Sequence, residues 1–368
     1  MLKRFKKLQK TQSSLIPILL CIGLMGGMLA SCSKSDVADI FEGAAKLTPA
    51  SGAVSPSPSD PAEEPPPEEH TITLSFVGDC MVASMLGSED PWSFNYFANQ
   101  VEPSYFFEKV KHIFEADDWT VANCENVFTD RELSPAPKPG NPVYWYRSKT
   151  ANTAVFTEGS IEVVSVANNH SGDYGEEGLT DTTEALDKAG VLWGNNGKTL
   201  LLEKYGFTVA LYCTTLYATW QADPIIEWLS EVEAISDYQI VYYHGGTERV
   251  YVPDAWRVYT SKQIVDAGAD LVIGGHPHVL QPMEEYNGAQ IVNSLGNFMF
   301  GGQRYPENRT IIYQKILTVK GGELLSEDYN IIPCYCFGED WQPAVIEDED
   351  EYNSVISYMH GEAATPFG

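Results

Sequence analysis

The chain has 368 residues, room for one large domain or two ordinary ones. Its composition is globular, 43% hydrophobic and 20% charged, with a formal net charge of −28. A surface so acidic argues against nucleic-acid binding, and against gripping an anionic polymer by charge alone without a metal or a local basic patch.

Residues 1–31 read as a targeting segment, outside the fold. The basic stretch MLKRFKKLQK precedes an apolar run from Leu15 to Leu29, which ends in Leu29-Ala30-Ser31-Cys32. That order resembles the lipobox of bacterial lipoproteins. It implies cleavage before Cys32, lipidation of that residue, and an extracytoplasmic chain tethered to the cell membrane. A plain cleaved signal or a retained membrane helix are the alternatives. Losing Lys3, Arg4, Lys6, Lys7 and Lys10 would leave the mature chain more acidic still. Residues 32–70 include SPSPSDPAEEPPPEE, too rich in Pro, Ser and Glu to build a core, and are expected to form an extended linker. Beyond Cys32 lie Cys80, Cys124, Cys213, Cys334 and Cys336, an odd number that implies no complete disulfide framework. A bridge between Cys80 and Cys124 is conceivable if their strands adjoin; buried free thiols are the simpler expectation.

The folded domain is expected over 71–345. Ile72 to Val77 is apolar and predicts a strand, ended by Gly78-Asp79. Residues 103–116 have helical spacing with Pro near the start. Trp119 to Ala122 reads as the next strand, closing with Asn123-Cys124-Glu125, and Ser134 to Pro142 as a Pro-rich loop. Residues 150–158 look helical. Ile161 to Val166 is a further strand, ending in Ala167-Asn168-Asn169-His170, with a helix over 177–189. Phe207 to Cys213 predicts a strand and 224–235 a helix. Gln239 to Tyr243 is a strand ending in His244-Gly245-Gly246-Thr247-Glu248, and a helix follows over 254–267. Asp270 to Ile273 is a buried strand that stops at Gly274-Gly275, just before His276, Pro277 and His278. Residues 280–286, 289–293, 311–319 and 323–333 suggest an antiparallel finish, and 346–368 an acidic tail with one short surface helix. Strands separated by helices of 10–15 residues indicate βαβ units, and no internal repeat is visible.

Five predicted strands thus end in Asp79, Glu125, Asn169-His170, His244 and His276/His278. Singly, each is an ordinary turn or loop residue. At the same end of successive strands, where open α/β sheets place their chemistry, they make one cluster of oxygen and imidazole donors. Such a set suits a divalent transition metal, Zn, Mn or Fe, and a bridging carboxylate with several imidazoles can hold one ion or two. The residues alone fit a metal-assisted hydrolase acting on phosphoester or amide bonds.

These blocks, with Asp173-Tyr174-Gly175, GADLVIGGHPHVLQP and Ser294-Leu295-Gly296-Asn297-Phe298, resemble the CapA family of poly-γ-glutamate capsule synthesis proteins. That family lies within the metallo-dependent, calcineurin-like phosphatase superfamily, and the resemblance spans about 71–335. It implies an α/β fold, a four-layer α/β/β/α sandwich, with the site at the carboxyl ends of the central strands. It also implies Asp79, Glu125, Asn169, His244, His276 and His278 as metal ligands and His170 as the acid that protonates a leaving group. Glu248 and Asn297 are then partners that orient the ligating imidazoles. Two places depart from the superfamily pattern: Met81 stands where a His is usual, and Glu125 where the bridging residue is usually Asp. The implied role is the synthesis, export or anchoring of an anionic γ-linked glutamate polymer, in a membrane complex for capsule synthesis. A general phosphoesterase acting on a small ester, and a non-catalytic polymer-binding subunit, are the other readings.

Overall fold

Strand β1 (Glu69–Cys80) takes the centre of the larger sheet because its side chains serve two cores. Ile72, Leu74 and Phe76 enter one apolar cluster and Val77 another on the opposite face, as period-2 alternation requires, and the register shift between Phe76 and Asp79 brings Cys80 to the side of Val77. The computed structural model describes residues 67–88, 90–302, 304–305, 308–337 and 340–367. The expected leader, Cys32 and most of the expected linker lie outside the described residues.

The short strands β2 (Ser84–Met85), β4 (Val127–Phe128) and β5 (Tyr146–Ser148) form a separate small sheet in the order β2-β5-β4, and β3 (Trp119–Cys124) joins a large one. There follow β6 (Val163–Ser165), β7 (Leu192–Gly194), β8 (Thr199–Lys204), β9 (Phe207–Thr215), β10 (Tyr238–His244) and β11 (Leu271–Gly275). The last are β12 (Leu280–Tyr286), β13 (Ala289–Leu295), β14 (Asn297–Met299), β15 (Arg309–Lys320), β16 (Glu323–Tyr335) and β17 (Ala344–Val345). The first large sheet runs β17-β16-β15-β1-β3-β6-β7, with β14 also on β1; the second runs β12-β13-β11-β10-β9-β8. Within each, the consecutive neighbours β1-β3-β6-β7 and β9-β10-β11-β13 are parallel, so their carboxyl ends lie at one edge.

The helices are α1 (Phe94–Ala98), α2 (Lys111–Phe114), α3 (Ala154–Glu158), α4 (Gly175–Ala189), α5 (Ala222–Val232), α6 (Ala255–Asp266) and α7 (Glu349–Met359). Phe94, Phe114, Phe156 and Leu186 of α1 to α4 cover the outer face of the first sheet, packing on Val77, Ala122 and Val164. Ile225, Trp228 and Leu229 of α5 and Ile264 of α6 cover the outer face of the second, against Val241, Val272 and Ile291. Between the sheets, Leu74, Phe76 and Val121 meet Leu211, Ile240, Tyr242 and Ile273. The architecture is a four-layer α/β/β/α sandwich. Polar bonds also cross the gap: the Tyr242 hydroxyl donates to Val77 O (2.9 Å) and the Lys315 ammonium to Gln290 Oε1 (2.6 Å).

Local chemistry agrees with these elements. The tight hairpin turns Tyr205-Gly206, Asn287-Gly288 and Gly321-Gly322 have positive φ at both residues, the geometry that matches strand twist. Helix α7 starts at Asp348, whose carboxylate accepts from Glu351 N (3.0 Å). This helix is more than a surface feature of an acidic tail, because Val355, Tyr358 and Met359 are buried in the intersheet core.

Two expectations are revised. The helix over 103–116 is broken into a 3-10 turn at Pro103–Tyr105 and the single turn of α2. Its adjacent aromatics have separate partners: Phe106 packs on Phe94 and Phe97, Phe107 on Phe114 and Phe298. The finish is also only partly antiparallel: β12 pairs antiparallel with β13 and β15 with β16, but β13 joins β11 in parallel. Among the described residues no helix is long and apolar enough to cross a membrane. Cys80 and Cys124 lie opposite each other in the β1/β3 register as free, buried thiols.

At the amino-terminal edge of β3, burial raises the Asp117 carboxyl to about 7, against hydrogen bonds from Ser75 and Thr120 and with help from the Glu162 and Asp118 charges. The folded chain therefore keeps this proton from about pH 4 to 7, where the unfolded chain has released it, so the contribution to stability falls as pH rises through that window. Asp117→Asn is expected to melt higher than wild type at pH 8, with the gap closing towards pH 4; parallel melting curves at both pH values would exclude Asp117 as the source.

Candidate functional site

The carboxyl edges of the two sheets meet at one pocket. Asp79 ends β1, Glu125 follows β3, and Asn169 and His170 follow β6; from the second sheet, His244 ends β10 and His276 and His278 follow β11. The backbones approach closely there. A Cβ on Gly78 would lie 1.8 Å from Gly296 O, and Asp79 N donates to that same oxygen at 3.0 Å. Only glycine permits this contact. The turn after β11 is strained as well, since His276 (φ 92°) and His278 (φ 57°) both adopt left-handed backbone. Non-glycine residues hold such φ values where the surroundings over-determine them, typically at ligand clamps and active sites. Here the clamps are His276 N, which donates to Asp79 Oδ2 (3.2 Å), and Pro277 O, which accepts from Arg249 N (2.8 Å).

Glu125 is fully buried, and its Oε1 has no hydrogen-bond partner. Around that atom stand the Nε2 atoms of His244 (3.6 Å), His278 (3.8 Å) and His170 (4.0 Å). His276, His278 and Glu125 offer one convergent set of donor atoms, and Asp79, Glu125 and His244 a second, each within 4.8 Å. The Glu125 separations are too long for hydrogen bonds. They are close to twice a metal–ligand bond of about 2.0–2.2 Å, so the residues present fit a divalent cation. Asn169 Oδ1 lies 2.8 Å from His244 Nε2, which brings the amide oxygen into the same group.

The electrostatics point the same way. Burial alone would raise the Asp79 carboxyl, but hydrogen bonds and charge from His244 and His278 hold it well below the usual carboxylate range. Burial, with the Asp79 charge beside it, pushes Glu125 well above that range. Burial lowers His244, and burial with the neighbouring imidazoles takes His276 down to about 2. His278 resists burial and rises to about 10, because Glu125 and Asp79 face it. Two buried carboxylates thus compete for too little positive charge, the condition a bound cation relieves.

Several contributors were not visible as such in the sequence. Asn123 Nδ2 donates to Asp79 Oδ1 (2.8 Å) and lies 3.1 Å from His244 Nδ1, and Asn168 Nδ2 donates to Asn123 Oδ1 (3.0 Å). His170 Nδ1 donates to Asp173 Oδ2 (3.0 Å), which also accepts from Tyr146 N (2.6 Å). Lys138, from the Pro-rich loop, pairs with Asp173 Oδ1. Aromatic rings pack on three of the imidazoles: Tyr146 on His170, Tyr217 on His276 and Phe300 on His278. Of the expected orienting partners, Asn297 Oδ1 accepts from His278 Nδ1 (2.7 Å), whereas half-exposed Glu248 stands 3.9 Å from His276 Nε2.

Residues 73–302 match the family described as "Bacterial capsule synthesis protein PGA_cap". The chain belongs to that family. It is 29% identical over 254 residues to the "PGA biosynthesis protein CapA" of Bacillus subtilis (strain 168), covering 63% of this chain and 64% of that protein. It is 26% identical over 258 residues to the "Capsule biosynthesis protein CapA" of Bacillus anthracis, covering 63% and 61%. The match therefore spans less than two thirds of either relative. A solved structure of a "novel phosphatase" from Mycoplasma pneumoniae aligns with a TM-score of 0.41 at 11% identity, over 72% of this chain and 95% of its own. Within the family match, Met81 is buried and its N–H donates to Met299 O (2.8 Å), so the position where the sequence resemblance leads one to expect an imidazole carries an apolar side chain.

Proposed function

We propose that this family member is an extracytoplasmic, lipid-anchored protein that acts in the synthesis, export or anchoring of a γ-linked glutamate polymer or a related capsular polymer, through a divalent-metal site in the pocket. The unpartnered, buried Glu125 Oε1 among three imidazoles carries the metal part of the reading. The names of the Bacillus relatives support the polymer part.

Asp79, Glu125, Asn169, His244, His276 and His278 would hold the cation, Mn, Zn or Fe, as one ion or two. When bound, it supplies Lewis acidity and offsets the negative charge of the site and of an anionic ligand. The chain's own residues do the rest. Asp173 fixes His170 with Nδ1 as the donor, leaving Nε2 directed into the pocket, where it can hand a proton to a leaving oxygen. Phe300 and Tyr146 narrow the water-accessible surface of His278 and His170. In a chain this acidic, such a pocket is where a carboxylate or phosphate can be received that the bare surface would repel. Met81 favours a second reading, an accessory subunit that keeps the fold and binds polymer without turning it over.

Metal content of the full chain should be roughly one ion or more, should fall in Glu125→Gln, and should show a ~10–100-fold weaker affinity in Asn297→Ala. Equal occupancy in wild type and Glu125→Gln would remove the metal site. Turnover of bis(p-nitrophenyl) phosphate or of γ-linked glutamate oligomers, abolished by His170→Ala, would establish the hydrolase; retention of metal with neither activity selects the accessory subunit. For the anchor, Cys32→Ser is expected to leave an unprocessed precursor or release protein into the medium. Unaltered lipid labelling would exclude Cys32 as the attachment point.

A further inference from the structure

Tyr217 stands at the mouth of the pocket, on the loop after β9, and its placement is specific. The loop is clamped against the end of β10: Leu216 N donates to His244 O (3.0 Å), and a Cβ on Gly245 would lie 1.8 Å from Leu216 O. Tyr217 N and Ala218 N both donate to Gln221 Oε1, at 2.6 and 3.0 Å, which fixes the loop from its other side. The ring then meets His276 edge-on, with centroids 5.3 Å apart at 89°, while the residue stays 40% exposed. Its hydroxyl donates to Asn169 Oδ1 at 3.3 Å, an acceptor that His244 Nε2 already approaches at 2.8 Å.

A structural tyrosine buries its ring and satisfies its hydroxyl with one short bond. Tyr217 instead keeps a large exposed area and a long bond to a shared neutral acceptor, the kind of contact that is readily exchanged for a shorter one to a charged oxygen. Asn169 follows a strand of the first sheet, and Tyr217 reaches its amide oxygen from the loop after β9 of the second. Lys138, the cation beside His170, is already paired with Asp173.

We propose that Tyr217 contacts the substrate, its hydroxyl exchanging Asn169 Oδ1 for an anionic oxygen of the group bound in the pocket. This rests on the pocket being a cation site, and it adds a neutral hydrogen-bond donor from the second sheet, beside Asn169 and His276. No bond is made or broken by the tyrosine; it orients the oxyanion and stabilises charge on it.

The test uses the full chain loaded with manganese, wild type and Tyr217→Phe, with inorganic phosphate as the probe. Three quantities are measured: manganese content, melting temperature and the phosphate dissociation constant by calorimetry. The expected result is unchanged manganese content and melting temperature, with phosphate bound about tenfold or more weakly by the variant, the loss typical of a hydrogen bond to a charged group. Equal phosphate affinity in the two proteins, or no phosphate binding by manganese-loaded wild type, overturns this proposal and leaves the cation site standing. Loss of manganese or of thermal stability in Tyr217→Phe also overturns it, since the hydroxyl would then serve to orient Asn169. A wild type that takes up none of manganese, zinc or iron overturns both readings together.

Discussion

A carboxylate oxygen sealed from water must find a proton, a donor or a cation, and Glu125 Oε1 has no hydrogen-bond donor within reach. Everything around it is organised to keep that oxygen in place. Asp79 takes the nearby donors, Asn123 Nδ2 and His276 N, and shares His278 with Asn297. The Nε2 atoms of His170, His244 and His278 approach Glu125 only to 3.6–4.0 Å. A purely structural core would close such a gap by shrinking or by replacing the acid with an apolar residue. This one holds it open with buried polar side chains on both sheets.

Holding it open falls to the sandwich. The ligand candidates come from two sheets that share no strand ladder among the described residues, so their registration depends on the intersheet core and on a few cross-links such as Tyr242 to Val77 O and Asp79 N to Gly296 O. Close backbone contacts then set the last ångströms: Gly78 against Gly296, Gly245 against Leu216, and Gly274 against Asn293. At each of these a methyl group would collide with main-chain atoms that cannot rotate away. The left-handed His276 and His278 are strained residues on this frame, and the hydrogen bonds that fix them run to Asp79 and to Arg249 N.

Much of this was legible in the sequence, for local reasons. Strand ends announced themselves by apolar runs that stop at Gly-Asp, Asn-Cys-Glu, Asn-Asn-His and Gly-Gly-His-Pro-His, and parallel strands bring such ends to one edge. What stayed hidden depends on contacts between distant segments. Asn123 read only as part of the strand ending Asn123-Cys124-Glu125, and the β1/β3 register, which sets it opposite Asp79, gives its amide a role. Asp173 follows His170 by three residues, but nothing in that spacing reveals that the loop turns it back onto Nδ1. Tyr217 comes from the other sheet altogether. Residues 103–116 show the opposite failure: their helical spacing is genuine, yet packing partners on either side of Phe106 and Phe107 outweigh propensity.

The most direct measurement is a crystal of the full chain grown with manganese, with diffraction recorded at wavelengths on either side of the manganese absorption edge. An anomalous peak is expected beside Glu125 Oε1, between the carboxylates of the first sheet and the imidazoles of the second. A peak elsewhere on this acidic surface, or none at full manganese loading, with Glu125 instead hydrogen-bonded to an ordered water, would contradict it.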